Sequence, residues 1–164
     1  MKNIIIALFL ITNLFSLNLP KYFSANFTQK IYSQDKILTY KGKIYTNLKQ
    51  TYWKYTYPNK KEIWVNDKVY IYEPDLIQVT IAKKPKLDLF NAIKKAKKIN
   101  NDYIAKINNK KIHFIYNNTL QKAWYIDDVG NKVELIFTNQ STKKIDQNLF
   151  IPKYPKDVDI IYQN

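Results

Sequence analysis

Chemistry in a protein needs side chains that hold or move charge, and this chain places few of them in useful company. Its one histidine, His113, sits inside the strand-like run Ile112-His113-Phe114-Ile115, and cysteine is absent. With no thiol to activate, that histidine reads as a structural or surface residue rather than a general base. The lack of cysteine also rules out disulfides, thiolate metal sites and a lipid-modified N-terminal Cys. Most acidic residues fall at turns, as Asp67, Asp75, Asp127 and Asp128 do, where Asp is favoured for bonding its own backbone. A hydrolase would need a carboxylate pair drawn from Glu62, Glu73, Asp127 and Asp128, and nothing in the spacing selects one. Gly42 and Gly130 are the only glycines, so a phosphate-cradling glycine-rich loop is excluded. Metal-ligand spacings are missing as well. The balance favours a protein that binds over one that catalyses, working without a cofactor.

The chain is 164 residues long and 46% hydrophobic, enough for one domain with a real core. Lys2, the apolar stretch Ile4 to Ile11 extended by Leu14, Phe15 and Leu17, then Pro20 and Lys21, follow the layout of a secretory signal peptide. That stretch is short for a membrane span, which needs roughly 20 residues. Residues 1–17 are therefore expected to be a signal, cut near Ser16 to Asn18, and residues 18–164 the working domain. An uncleaved anchor is the alternative. The formal charge of +14 invites a nucleic-acid reading, but all 27 basic residues are Lys. Without Arg there is no planar fork to clamp phosphates or read guanine edges, so a solvated basic surface is the preferred reading, an anionic-lipid or acidic-protein contact the second, and nucleic acid is not an expected partner. A nucleic-acid binder would show steep salt dependence.

The elements that must position these residues are mostly strands. Short aromatic runs punctuated by turn residues mark strands near Tyr22 to Gln29, Ile37 to Asn47, Tyr52 to Tyr57, Glu62 to Val65, Lys68 to Tyr72 and Ile77 to Ala82. Gly42 marks a bulge or a close approach. The period then changes: Leu89, Phe90, Ile93, Ala96 and Ile99 recur at helical spacing, predicting one amphipathic helix over Leu87 to Ile99 with Asp88 as its cap. Lys94, Lys95, Lys97 and Lys98 would be its solvated face. Alternation resumes at Tyr103 to Ile107, Lys111 to Tyr116, Lys122 to Ile126 and Lys132 to Phe137, with turns at Asn108-Asn109, Asn117-Asn118 and Val129-Gly130-Asn131. The sheet is expected to be a meander.

Several of these segments, taken in order, resemble a known family. Phe23-Ser24-Ala25-Asn26-Phe27-Thr28-Gln29, Tyr40-Lys41-Gly42, Trp53-x-Tyr55-x-x-Pro58, Asn66-Asp67-Lys68 and Tyr70-Ile71-Tyr72-x-Pro74-x-Leu76-x-Gln78-Val79 resemble the periplasmic outer-membrane lipoprotein carriers of the LolA family. Asp127-x-x-Gly130, and Leu149-Phe150 followed by Pro155-x-x-Val158-Asp159-Ile160-Ile161, look like that family's closing segment. The resemblance implies an unclosed antiparallel β-barrel, a curved sheet covered by α-helices, enclosing an apolar cavity for the acyl chains of a lipoprotein. It also implies a periplasmic monomer that receives outer-membrane lipoproteins as cargo from an inner-membrane ABC transporter of the LolCDE kind, and it leaves an outer-membrane acceptor open. The family's Arg-Pro pair before its strand tryptophan is missing: the region reads Asn47-Leu48-Lys49, where Lys49 supplies a charge for lid or partner but not a fork.

Strand parity points Trp53, Tyr55, Ile63 and Val65 inward, with Phe90 and Ile93 as the helix's contribution to the acyl-chain cavity. For each, an ordinary core position is the competing reading. The other functional readings are a lipid- or peptide-sensing module of related fold, marked by an extra partner domain, and an exported hydrolase whose turnover would be insensitive to filling of the cavity.

Overall fold

The computed structural model describes residues 17, 19–84, 89–107 and 109–163. Nearly all of the expected signal, and Asp88 with the expected start of the helix, lie outside them. Twelve strands form one sheet. In chain order they are β1 (Phe23–Ser33), β2 (Lys36–Thr46), β3 (Thr51–Tyr57), β4 (Lys61–Val65), β5 (Lys68–Glu73), β6 (Gln78–Lys83), β7 (Lys97–Ile99), β8 (Asp102–Ile107), β9 (Lys110–Asn117), β10 (Thr119–Ile126), β11 (Lys132–Ser141) and β12 (Asp159–Gln163). Helix α1 (Leu89–Lys94) interrupts them after β6.

The spatial order is β12-β6-β5-β4-β3-β2-β1-β11-β10-β9-β8-β7. Two meanders, β1 to β6 and β7 to β11, are thus joined by the antiparallel pairing of β1 with β11. The sheet is unclosed, with β12 and β7 at its edges. β12 departs from the meander, running parallel to β6. Its Asp-Ile-Ile-Tyr-Gln carries no alternation because all five residues are exposed at the edge, so no periodic signal marked it. The turns of the second meander follow the sequence: Asn100, Asn109 and Asn118 take positive φ, a conformation Asn tolerates, as does Gly130.

The helix is shorter than expected. Six of its residues are described, and Lys95 N–H and Ala96 N–H close back on the Ala92 and Ile93 carbonyls to end it after Lys94. Lys97, Lys98 and Ile99 are strand, pairing with Ile104, Tyr103 and Asp102. A helix this short gains little by adding another turn, whereas an edge strand gains ladder bonds, so the apolar spacing overstated the helix. The expectation of several covering helices is likewise corrected to one among the described residues.

The two faces of the sheet bury different clusters. On the inner face, Phe23, Ala25 and Phe27 of β1 pack with Ile44, Ile112, Phe114, Leu120, Ala123, Leu135 and Phe137, and α1 adds Phe90, Ala92 and Ile93. On the outer face, the cross-strand row Tyr45, Tyr52, Trp64 and Tyr70 runs through β2 to β5. Tyr52 stacks on Tyr45 at 5.8 Å and on Trp64 at 5.2 Å. The C-terminal segment covers this row with Ile145 and Phe150. It is tied down by Trp64 Nε1–H donating to the Leu149 carbonyl at 3.2 Å and Asn66 Nδ2–H to that of Phe150 at 3.0 Å.

Candidate binding recess

Period-2 alternation decides what the inner face of β3 and β4 presents. Thr51, Trp53 and Tyr55 pair across with Val65, Ile63 and Lys61, so all six side chains share that face. Phe27 of β1 buttresses them, its ring lying edge-on to Trp53 at 5.0 Å and to Tyr55 at 4.9 Å. Gly42, opposite Phe27 in β2, makes this possible. A Cβ there would collide with the Lys54 carbonyl and stand 2.8 Å from the Phe27 ring, and the β2–β3 register shifts between Lys41 and Gly42.

Between this wall and α1 lies a half-open recess of about 210 Å³, lined by Gln29, Thr51, Trp53, Tyr55, Val65, Leu89, Phe90, Ile112, Tyr125 and Leu135. Beside it is a second, more polar recess of about 420 Å³, which includes Tyr40, Ile63, Lys61 and Glu73 and shares Gln29 and Tyr55 with the first. At the junction the Tyr55 hydroxyl donates to Gln29 Oε1 at 3.0 Å. Burial, and then the neighbouring Tyr125 and Tyr40, push the Tyr55 hydroxyl pKa well above its ordinary value; burial also raises that of Tyr125. Both are neutral donors at any ordinary pH.

The named residues are therefore distributed unequally. Trp53, Tyr55, Val65 and Phe90 meet around the first recess, and Ile63 lines the second. Ile93 is fully buried in the inner core. Lys49 is exposed on the β2–β3 turn, its backbone N–H bonded to Asn47 Oδ1. Sequence reasoning did not place Gln29, Thr51, Leu89, Ile112, Tyr125 or Leu135 in the cavity. The available signal was Gln29 itself, a polar residue on the parity of Phe23, Ala25 and Phe27.

The carboxylates have other employment. Glu62 accepts from the Tyr52 hydroxyl at 2.7 Å on the outer face, while Glu73 pairs with Lys61 at 2.9 Å on the inner one. Asp127 closes its turn by accepting from the backbone of Val129 and Asn131, and Asp128 pairs with Lys110 at 2.7 Å. His113 stacks on Trp124 at 3.8 Å on the outer face. Among the described residues no acidic, His or Cys group is placed to hold a metal, and no helix is long and apolar enough to cross a membrane.

An unclosed sheet whose inner face holds a half-open apolar recess under one short helix defines a class of open-sheet protein. A solved structure of an uncharacterized conserved protein from Thermus thermophilus shares this fold: TM-score 0.56, 10% identity, 88% of this chain and 92% of that one covered. No family model matches the chain. Curated relatives do. It is 36% identical over 166 residues to an outer-membrane lipoprotein carrier protein of Campylobacter jejuni, covering 98% of both chains. Proteins of the same name match in Wolinella succinogenes, at 33% identity over 86% of this chain and 87% of that one, and in Helicobacter pylori, at 34% over 86% and 80%. The chain belongs to the outer-membrane lipoprotein carrier family.

Proposed function

We propose that this protein is a periplasmic carrier that shields the acyl chains of lipoproteins in the inner-face recess while moving them from the inner to the outer membrane. The observation that carries this reading is the apolar recess formed by Trp53, Tyr55, Val65 and Phe90 in a chain 36% identical, end to end, to a lipoprotein carrier. An acyl chain set free in water exposes on the order of 15 methylenes at about 0.8 kcal/mol each, so two or three chains cost roughly 20 kcal/mol or more without shielding. A carrier must recover only part of that, because cargo held too tightly is not passed on. A half-open recess, covered among the described residues by one short helix, suits partial recovery.

In this reading residues 1–17 are the export signal. The donor is an inner-membrane ABC transporter of the LolCDE kind, an outer-membrane acceptor is left open, and the protein acts as a monomer without catalysing a reaction. Lys49 on the β2–β3 turn offers a single exposed charge to lid or partner. Ile93 serves the recess indirectly, anchoring α1 in the core.

The test is to express the chain in a periplasm beside a tagged lipoprotein, purify it without detergent, and identify bound acylated protein by mass spectrometry. A stoichiometric complex is expected. A protein that emerges empty even with the donor transporter supplied would overturn the reading.

A further inference from the structure

The more polar recess lies beside the apolar one, and the two share Gln29 and Tyr55, which are joined by one hydrogen bond. We propose that this second recess seats the ester-linked head of the acylated cargo, with Gln29 as the specificity-determining residue whose amide reads its ester carbonyls and Tyr55 as the positioning residue that holds that amide. This rests on the carrier reading and goes beyond it, by separating a tail subsite from a head subsite.

Volume comes first. At about 210 Å³ the apolar recess alone is smaller than the 300–1,000 Å³ usual for a ligand site, whereas the neighbouring recess of about 420 Å³ lies within that range by itself and offers the room the smaller one lacks. The chemistry of the walls divides in the same place. The smaller recess is mainly hydrocarbon and aromatic, from Trp53, Val65, Leu89, Phe90, Ile112 and Leu135. The larger mixes Ile31, Pro58 and Ile63 with Tyr40, Asn59 and the Lys61–Glu73 ion pair, whose side chains are 39% and 27% exposed at the rim.

A lipid-modified N-terminus has the same division: hydrocarbon joined within a few atoms to ester carbonyls, a glyceryl unit and a peptide. An ester carbonyl drawn out of water with its tail needs a donor, since a buried acceptor left unmade costs more than a made bond gains. Gln29 and Tyr55 stand where the two recesses meet. Because Gln29 Oε1 accepts from the Tyr55 hydroxyl, the amide's N–H groups remain as donors at that junction. Gln29 follows three apolar residues of its own parity, where an aliphatic side chain would serve packing alone.

The test uses two synthetic probes, a dipalmitoylglyceryl-cysteine peptide and its dihexadecyl ether analogue, which keeps both tails but lacks the ester carbonyls. Each displaces a fluorescent alkyl reporter from the wild-type protein, from Tyr55→Phe and from Gln29→Met. The wild type is expected to prefer the ester probe about fivefold, the scale of one net hydrogen bond. Each substitution is expected to erase most of that preference, so that the double-mutant cycle between hydroxyl and ester shows coupling. Equal binding of both probes by the wild type, or a preference that survives both substitutions, overturns the head-subsite proposal while leaving the carrier reading standing. Failure of the wild type to bind either probe removes both. The wild-type comparison needs no variant, so a substitution that unfolds the protein does not spare the proposal.

Discussion

The two faces of strands β3 and β4 start from similar material and end differently. On the outer face the aromatic row Tyr45, Tyr52, Trp64 and Tyr70 is closed by the chain itself. Ile145 and Phe150 fill it, and two side-chain bonds to the Leu149 and Phe150 carbonyls hold the covering segment in place. On the inner face Trp53, Tyr55, Ile63 and Val65 are only partly buried, and the recess beside them stays open. Apolar surface becomes core where the chain brings both a hydrophobic cover and a polar fastening for that cover's backbone. Where the described residues bring one short helix, the remaining surface stays partly exposed.

The comparison breaks most readily at the outer cover. Phe150 is 1% exposed, so Phe150→Ala is expected to destabilise the fold by about 3–5 kcal/mol in denaturant titration, with alkyl-reporter affinity of the folded protein unchanged. Comparable loss of affinity would mean that the two faces are not independent. Gly42→Ala forces Cβ into the Lys54 carbonyl and against Phe27, and is expected to cost about 1–3 kcal/mol. Since Phe27 buttresses Trp53 and Tyr55, this variant should also blunt reporter binding, which Phe150→Ala should not.

Val65→Trp sharpens the contrast from the other side. It places volume in an open recess instead of a filled core, and should lower reporter affinity about tenfold, equivalent to about 1.4 kcal/mol, with little change in the denaturation midpoint. A large stability loss with binding intact would make the recess an ordinary piece of core.

The smallest effect expected is a pH dependence carried by the outer face of β9 to β11. Burial holds the His113 pKa below its ordinary 6.5, against the pull of Asp102 and with help from Lys111. The unfolded chain therefore takes up that proton first, and stability falls as pH drops through 6.5. Burial alone would raise Glu134, but the Lys122 hydrogen bond and charge, with Lys132, outweigh it and hold the carboxyl below its ordinary 4.5. Its contribution is complete above that value and is lost as pH falls further. Thermal midpoints should thus decline in two steps on acidification, and His113→Gln should flatten only the upper one.

Much of this was legible in the residues. Alternation located the strands other than β7 and β12, Asn and Gly placed three turns of the second meander, and parity put Trp53, Tyr55, Ile63 and Val65 on one face. The helix was overdrawn because Ala96 and Ile99 continue a helical spacing, although the chain leaves the helix after Lys94 and enters β7 at Lys97. The outer cover was not foreseen, although its signal was present: β3 and β4 are aromatic on both parities, as Tyr52 and Trp64 against Trp53 and Tyr55 show, and such strands must be covered twice. Gln29 was passed over as one more polar residue in a strand.

By itself the sequence determined the strand-rich architecture, the lack of thiol chemistry and the supply of inward aromatics, because these depend on residue type and on a period of two along a single strand. Only the tertiary structure decided which aromatic face would be sealed and which left open, that β1 joins β11, that β12 runs parallel to β6, and that Gln29 meets Tyr55. Those are contacts between residues far apart in the chain. Each depends on which segments can reach and satisfy one another's backbone and side chains, and no local pattern records that.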